Sequence, residues 1–277
     1  MNKKLLALYG LKWNPFSPEL PIEALYVTPK LETFCWRVEQ GLIREGGFAM
    51  ISGEPGTGKS VALRVLADRL SKMRDVNAGS LVHPSCNLAD FYREMGDVFG
   101  VELRPSNRWG GFKSLRERWA AHLESSLSRA ILLVDEAQEM PAMVLNELRL
   151  LSSDAFDSRN LLGIVLCGDG RLNNKLRREE LLPLGSRLRI RLNTEYAGRD
   201  ELQACLSHLL DSAGNANLMT SELVQTLCDH AGGNYRVLCT LAAELLDVAA
   251  RDEQMQLDEK LYLRVFESPA AKKRKSA

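Results

Sequence analysis

Residues 53–60 read Gly-Glu-Pro-Gly-Thr-Gly-Lys-Ser, between a short apolar run, Phe48-Ala49-Met50-Ile51-Ser52, and a stretch of helical spacing from Val61 to Leu70. A strand that stops at such a loop, and a helix that leaves it, make a phosphate cradle: the glycines let backbone N–H groups turn toward an anion, and the lysine adds a point charge. The pattern commits the chain to a strand, a loop and a helix in that order, with ligand at the strand's C-terminal end. The expected nucleotide contacts are Gly53, Glu54, Pro55, Gly56, Thr57, Gly58, Lys59, Ser60 and Val61, with Lys59 on the β- and γ-phosphates and Ser60 on Mg²⁺.

A second apolar run, Ile131-Leu132-Leu133-Val134, ends in Asp135-Glu136. Alone, the two carboxylates would read as a solvated strand end. Beside the phosphate loop they read as a metal ligand, Asp135, and a base that polarises the attacking water, Glu136. ATP and Mg²⁺ are therefore the expected ligand and cofactor.

The chain has 277 residues, 45% of them apolar, enough for one large domain or two modest ones. No run approaches the length of a membrane span, and Met1 to Leu8 is interrupted too soon for a secretory leader, so the cytoplasm is the expected compartment. Cys35, Cys86, Cys167, Cys205, Cys228 and Cys239 form no C-x-x-C pair and are expected as free thiols, and the four histidines are too scattered to predict a metal site. Formal net charge is zero, but the signs are segregated. Basic residues crowd 104–118 (Arg104, Arg108, Lys113, Arg116, Arg118) and 171–191 (Arg171, Lys175, Arg177, Arg178, Arg187, Arg189, Arg191), and Lys272 to Lys275 close the chain. Residues 193–265 carry twelve carboxylates against five Lys and Arg. Such asymmetry points to a polyanion on one side, or to solvated helix faces that happen to cluster.

Organisation follows from periodicity. Residues 1–30 are too rich in proline and aromatics for one helix. Strands are expected near 48–52, 78–84, 131–134, 161–167 and 187–192, with helices at 31–45, 61–73, 88–99, 115–127 and 143–152, and with 104–112 as a polar, glycine-rich loop. This alternation predicts an α/β fold, a mostly parallel sheet with helices on both faces. Beyond it the pattern is helical only, at 199–213, 220–231, 235–251 and 257–266. The expected division is a core over 1–192 that includes the N-terminal segment, a small all-helical lid over 193–266, and a basic disordered tail over 267–277.

Over nearly its whole length this arrangement resembles the AAA+ ATPases, an α/β core followed by a helical lid. Three strings, Tyr9-Gly10-Leu11-Lys12-x-Asn14-Pro15-Phe16, Asp135-Glu136-Ala137-Gln138 and Asn146 to Ser152, look like the ExeA/GspA-type ATPases, a group similar to the transposition ATPases of the TnsC, TniB and MuB kind. The resemblance implies a homo-oligomer, a ring or a helical filament, with nucleotide between neighbouring subunits and an arginine reaching the γ-phosphate from the next one. Arg187, in Gly185-Ser186-Arg187-Leu188, matches that position, with Arg189 and Arg191 as rivals. Gly232-Gly233-Asn234-Tyr235-Arg236 resembles the sensor-two motif, in which Arg236 would contact the phosphates from the same subunit. Asp169 departs from the pattern, since an uncharged polar residue is expected where it follows the 161–167 strand. Gln138 either helps position the water or starts a helix.

Two functions follow. The first is an ATP-dependent regulator of transposition that assembles on duplex DNA without sequence preference and recruits a transposase. The second is an ATPase of a general secretion assembly, of ExeA/GspA type. A transmembrane helix and a cell-wall-binding region are expected after the core in the second, and their absence from this sequence tips the expectation to the first, with no membrane partner. A replication clamp-loader or initiator is a third, less favoured reading. Phosphate-backbone contacts need Lys, Arg and small hydroxyls, and the expected ones are Arg104, Arg108, Lys113, Ser114, Lys175 and Arg177, with Arg178 beside them. Trp109 and Phe112 either wedge against sugars or anchor their loop. The basic tail touches DNA or a partner, or merely solubilises.

Overall fold

The computed structural model describes residues 3–103, 107–156 and 158–266. Along the chain run α1 (Lys3–Tyr9), α2 (Pro29–Arg37), a π turn at Val38–Leu42, α3 (Ile43–Glu45), β1 (Gly47–Gly53), α4 (Lys59–Ser71), β2 (Ala78–Leu81), α5 (Leu88–Phe99) and α6 (Arg108–Ser126). Next come β3 (Ala130–Val134), α7 (Ala142–Ser152), the two-residue strands β4 (Ser153–Asp154) and β5 (Arg159–Asn160), β6 (Leu162–Gly168), α8 (Gly170–Leu176), α9 (Leu182–Gly185) and β7 (Leu188–Thr194). The last four elements are α10 (Arg199–Ala213), α11 (Ser221–Ala231), α12 (Tyr235–Arg251) and α13 (Glu259–Phe266).

Two compact units emerge, one of Val27–Pro55 with Lys59–Thr194, the other of Met1–Tyr26, Gly56–Gly58 and Glu195–Ala277. In the first, five parallel strands lie in the order β2-β3-β6-β1-β7. β3 and β6 are buried throughout and β1 in all but its last residue, which is why they read as continuous apolar runs. β7, at an edge, alternates buried and exposed residues. Side chains alternate across the sheet as a period of two requires. Phe48, Met50, Leu132, Val134, Ile164 and Leu166 share one core cluster with residues of α5, α6, α7, α8 and α9. Gly163, of the opposite parity, faces Leu42 of the π turn: a Cβ there would come within 3.3 Å of the Leu42 carbonyl. Helices therefore cover both faces of a parallel sheet, as expected.

The 104–112 segment differs from the sequence reading. Arg104 lies outside the described residues, but Arg108 to Phe112 form the first turn of α6, which Asn107 caps by accepting from Gly110 N at 2.8 Å. Glycine's low helix propensity is overridden by packing: a Cβ on Gly111 would lie 2.9 Å from the ring of buried Tyr92, so its absence lets α5 and α6 close together.

In the second unit α10 to α13 pack on one another, and the N-terminal segment packs with them. Buried Tyr9 donates its hydroxyl to Gln254 O at 2.9 Å, Asn215 donates to Tyr9 O at 2.9 Å, and Lys12 N donates to Ala213 O at 2.9 Å. Residues up to Tyr26 thus group with the helices after Glu195, whereas the expected core of 1–192 had included them. Thr220 and Asn234 cap α11 and α12, and Gly214 and Gly232, both left-handed, end α10 and α11.

Leu132 is fully buried at the middle of β3. Leu132→Ala is expected to lower unfolding free energy by about 2–5 kcal/mol, read by guanidinium denaturation.

Candidate nucleotide-binding site

β1 delivers the loop and α4 receives it. Between them Gly56 and Gly58 adopt φ +82° and +92°, which only glycine tolerates without strain. The loop amides and the start of α4 bring backbone N–H groups and a partial positive charge to the end of β1, a ready anion site. Lys59, 9% exposed, folds back so that Nζ donates to Glu54 O at 3.0 Å. Ser60 is exposed on the first turn of α4, beside half-buried Val61, and Thr57 is buried. Gly56 O also accepts from Tyr235 N at 3.0 Å, and a Cβ at Gly56 would lie 2.0 Å from Asn234 Oδ1, which explains why Gly56–Gly58 group with the helical unit.

β6 lies between β1 and β3, and the three run parallel, so their C-terminal ends share one edge. Val134 pairs with Leu166, while Ile51 and Ser52 pair with Cys167 and Gly168. Asp135 is half-buried and Glu136 exposed. Glu136 has φ +50°, a left-handed conformation that costs a non-glycine residue about 1 kcal/mol or more. It is held by Glu136 N donating to Asp135 Oδ1 at 2.9 Å and by Glu139 N donating to Glu136 O at 2.9 Å. Burial, then the neighbouring Asp135 carboxylate, pushes the Cys167 thiol far up, so it stays neutral.

Asp169 caps α8: Oδ1 accepts from Arg171 N at 2.8 Å and Oδ2 from Arg171 Nε at 2.9 Å. Arg171 holds this carboxyl below the usual range, and its guanidinium also pairs with Glu139 at 2.9 Å. The departure at Asp169 therefore carries its own counter-charge. Gln138, 5% exposed, accepts from Asp169 N at 3.2 Å and donates from Nε2 to Glu136 Oε2.

The expected polyanion contacts scatter. Lys175 is turned inward, with Nζ donating to Gln138 O and Met140 O at 2.6 Å each, and burial lowers its pKa. Two carbonyls at a tight turn need a donor, and a lysine in the last turn of α8 supplies it. Arg108 is likewise engaged, its Nε donating at 3.0 Å to Glu147, which is 3% exposed and also accepts from the Tyr92 hydroxyl. Lys113, exposed, pairs loosely with Glu117 at 3.7 Å; Ser114 is half-buried on the same helix, and Arg177 is exposed at the end of α8, with Arg178 next to it. Trp109, 74% exposed, stacks on Phe112 at 5.9 Å, and the Arg116 guanidinium lies 5.1 Å from the Phe112 ring, so the pair is anchored from one side. The tail from Lys272 lies outside the described residues.

Arg187 is half-buried between α9 and β7. Of its rivals, Arg189 pairs with Glu45 at 3.3 Å and Arg191 donates to Gly185 O at 3.4 Å. Arg236 opens α12, and its exposed guanidinium makes no hydrogen bond or ion pair among the described residues. Sequence reasoning missed the inward turn of Lys175 and the pairing of Asp169 with Arg171. The last had a local signal, an Asp two residues before an Arg at a helix start.

Gly58→Ala is expected to weaken nucleotide binding roughly tenfold or more, because a side chain at φ +92° costs about 1–2 kcal/mol. Calorimetric titration measures it, and unchanged circular dichroism shows that the fold survives.

Residues 43–176 match the family model described as AAA domain. General secretion pathway protein A of Aeromonas hydrophila is 30% identical over 234 residues, which cover 83% of this chain and 42% of that protein, so the chain spans less than half of this relative. Among solved structures, Cdc6p of Pyrobaculum aerophilum superposes with TM-score 0.69 at 17% identity, covering 88% of this chain and 67% of the other. Domain III of the replication initiation protein DnaA of Thermotoga maritima gives TM-score 0.57 at 17% identity, covering 91% and 97%. At such identities the structural likeness speaks to the fold alone. The match of residues 43–176 to the AAA domain model and the likeness to these solved structures give the chain the AAA+ fold.

Proposed function

We propose that this chain is a Mg²⁺-dependent ATPase that serves the assembly of a general secretion apparatus. The observation that carries the ATPase reading is the shared edge at which β1, β3 and β6 end. There it gathers the glycine loop with Lys59, the carboxylates of Asp135 and Glu136, and the capped start of α8. The loop amides and Lys59 bind the phosphates. Ser60 and Asp135 fit a hard cation, one hydroxyl and one carboxylate beside the cradle, and bound Mg²⁺ would supply charge neutralisation. Glu136 orients a water and takes its proton as the oxygen bonds to the γ-phosphorus. The bond from that phosphorus to the β–γ bridging oxygen breaks, leaving ADP and phosphate. In a ring or filament of copies, Arg187 would meet the developing charge from the neighbouring subunit.

The secretion assignment rests on the likeness to General secretion pathway protein A. It is favoured over the transposition reading because Lys175 and Arg108, two of the residues expected on DNA, are engaged by the protein's own carbonyls and by Glu147. Among the described residues of that set, Lys113, Ser114 and Arg177 remain, two on α6 and one just past α8.

Glu136→Gln should bind ATP as tightly as the wild type and hydrolyse it about 10²–10⁴-fold more slowly. Normal turnover by this variant would remove the base assignment, and calorimetry showing no nucleotide binding by the wild type would end the ATPase reading. Arg187→Ala should lose hydrolysis and recover part of it when wild-type subunits are mixed in. ATP-dependent sedimentation with duplex DNA of any sequence, released by about 0.5 M salt, would restore the transposition reading. ATP-dependent co-purification with secretion components, and no retention on DNA, is the expected result.

A further inference from the structure

The Gln138 side chain has two ends, and both are used at the shared strand edge. Nε2 donates to the Glu136 carboxylate, the expected base, and Oε1 accepts from the Asp169 main-chain N–H at 3.2 Å. The residue is 5% exposed, so its amide sits largely out of water, where an unmet donor or acceptor is costly. A carboxamide suits this double role, because an ionised carboxylate has no donor and a hydroxyl is too short to span two strand ends.

The surroundings are arranged for that span. Gly168 leaves the space the amide occupies, since a Cβ there would lie 2.5 Å from Gln138 Oε1. Lys175 fixes the main chain on either side by donating to Gln138 O and Met140 O at 2.6 Å each. Asp169 is itself fixed, because Arg171 holds its side chain. A Gln that merely started the turn at Ala137–Glu139 would need no bond to Asp169, and a Gln that merely tied that turn to the start of α8 would need no bond to Glu136.

We propose that Gln138 is a positioning residue that couples the carboxylate of Glu136 to the main chain at the start of α8. Any shift of the Gly168–Gly170 segment relative to the end of β3 reorients the base, and turnover responds to that segment through one amide. The proposal rests on the ATPase reading and adds to it the means by which a left-handed, exposed Glu136 keeps one orientation.

Gln138→Glu is the sharpest variant, since it keeps the shape and the acceptor while replacing the donor by a second anion. The charged groups near position 138 are Asp135, Glu136 and Glu139 on its own segment, Asp169, Arg171 and Lys175 around α8, and Lys59 of the phosphate loop. Three results are expected. ATP affinity stays within about threefold of wild type, while kcat at about pH 8 falls about 10- to 100-fold. The ratio of variant to wild-type kcat rises as pH is lowered toward about 5.5, because a protonated Glu at 138 regains the donor. In nucleotide-free protein, hydrogen exchange of the Asp169 amide is faster in Gln138→Leu and near wild type in Gln138→Glu.

Wild-type kcat in Gln138→Glu at about pH 8 would overturn the proposal, as would a reduced kcat whose ratio to wild type does not change with pH. Unchanged Asp169 exchange in Gln138→Leu would overturn it too, and should that variant fail to fold, Gln138→Glu decides alone. Wild-type protein that binds ATP but never turns it over is a distinct outcome: it removes the ATPase reading, and this proposal with it.

Discussion

Parallel strands buried on both faces have nowhere to move, and the ends of β1, β3 and β6 inherit that rigidity. Register places Ile51 level with Cys167 and Val134 level with Leu166, so the phosphate loop, the Asp135-Glu136 pair and the cap of α8 start from neighbouring positions. Helices of one core cluster cover one face, and the Val38–Leu42 turn approaches the other through Gly163. The polar chemistry can then sit in short, strained connections, because the strands beneath them supply the order.

Those connections are held by polar contacts with few redundant members. Glu136 is kept in a left-handed turn by Asp135 and the Glu139 amide, its carboxylate is held by Gln138, Gln138 is kept by Lys175 and Asp169, and Asp169 is kept by Arg171. Two features that look unfavourable when taken singly are offset by neighbours. An aspartate near a phosphate site is paired with an arginine, and a lysine drawn partly out of water finds two carbonyls. The buried Glu147 follows the same logic between α5, α6 and α7, with Arg108 and Tyr92 as its partners.

Much of the core was legible because its signals are local. The apolar runs at 48–52, 131–134 and 161–167 mark strands that are solvated on neither face, and the string from Gly53 to Ser60 carries its own geometry in two glycines that turn out left-handed. What was illegible depends on distance in space. Gly110 and Gly111 argued for a loop, and contact with Tyr92 made them helix. The segment before Tyr26 looked like a preface to the core, yet Tyr9 and Lys12 bond to residues more than two hundred positions away. Lysine and arginine counts predicted a basic surface, but a count carries no direction, and Lys175 and Arg108 point their charges at partners within the protein.

The sequence alone thus determined a nucleotide loop on a parallel α/β core with helices after it, since each of these is written in neighbouring residues by propensity, periodicity and the conformational demands of glycine. Tertiary structure alone decided which charges are available and which are used internally, with which helices the N-terminal segment packs, and that one buried amide joins the Glu136 carboxylate, just past β3, to the Asp169 main chain, just past β6. The physical reason is that a hydrogen bond or ion pair depends on distance and direction between groups far apart in the chain, and composition fixes neither.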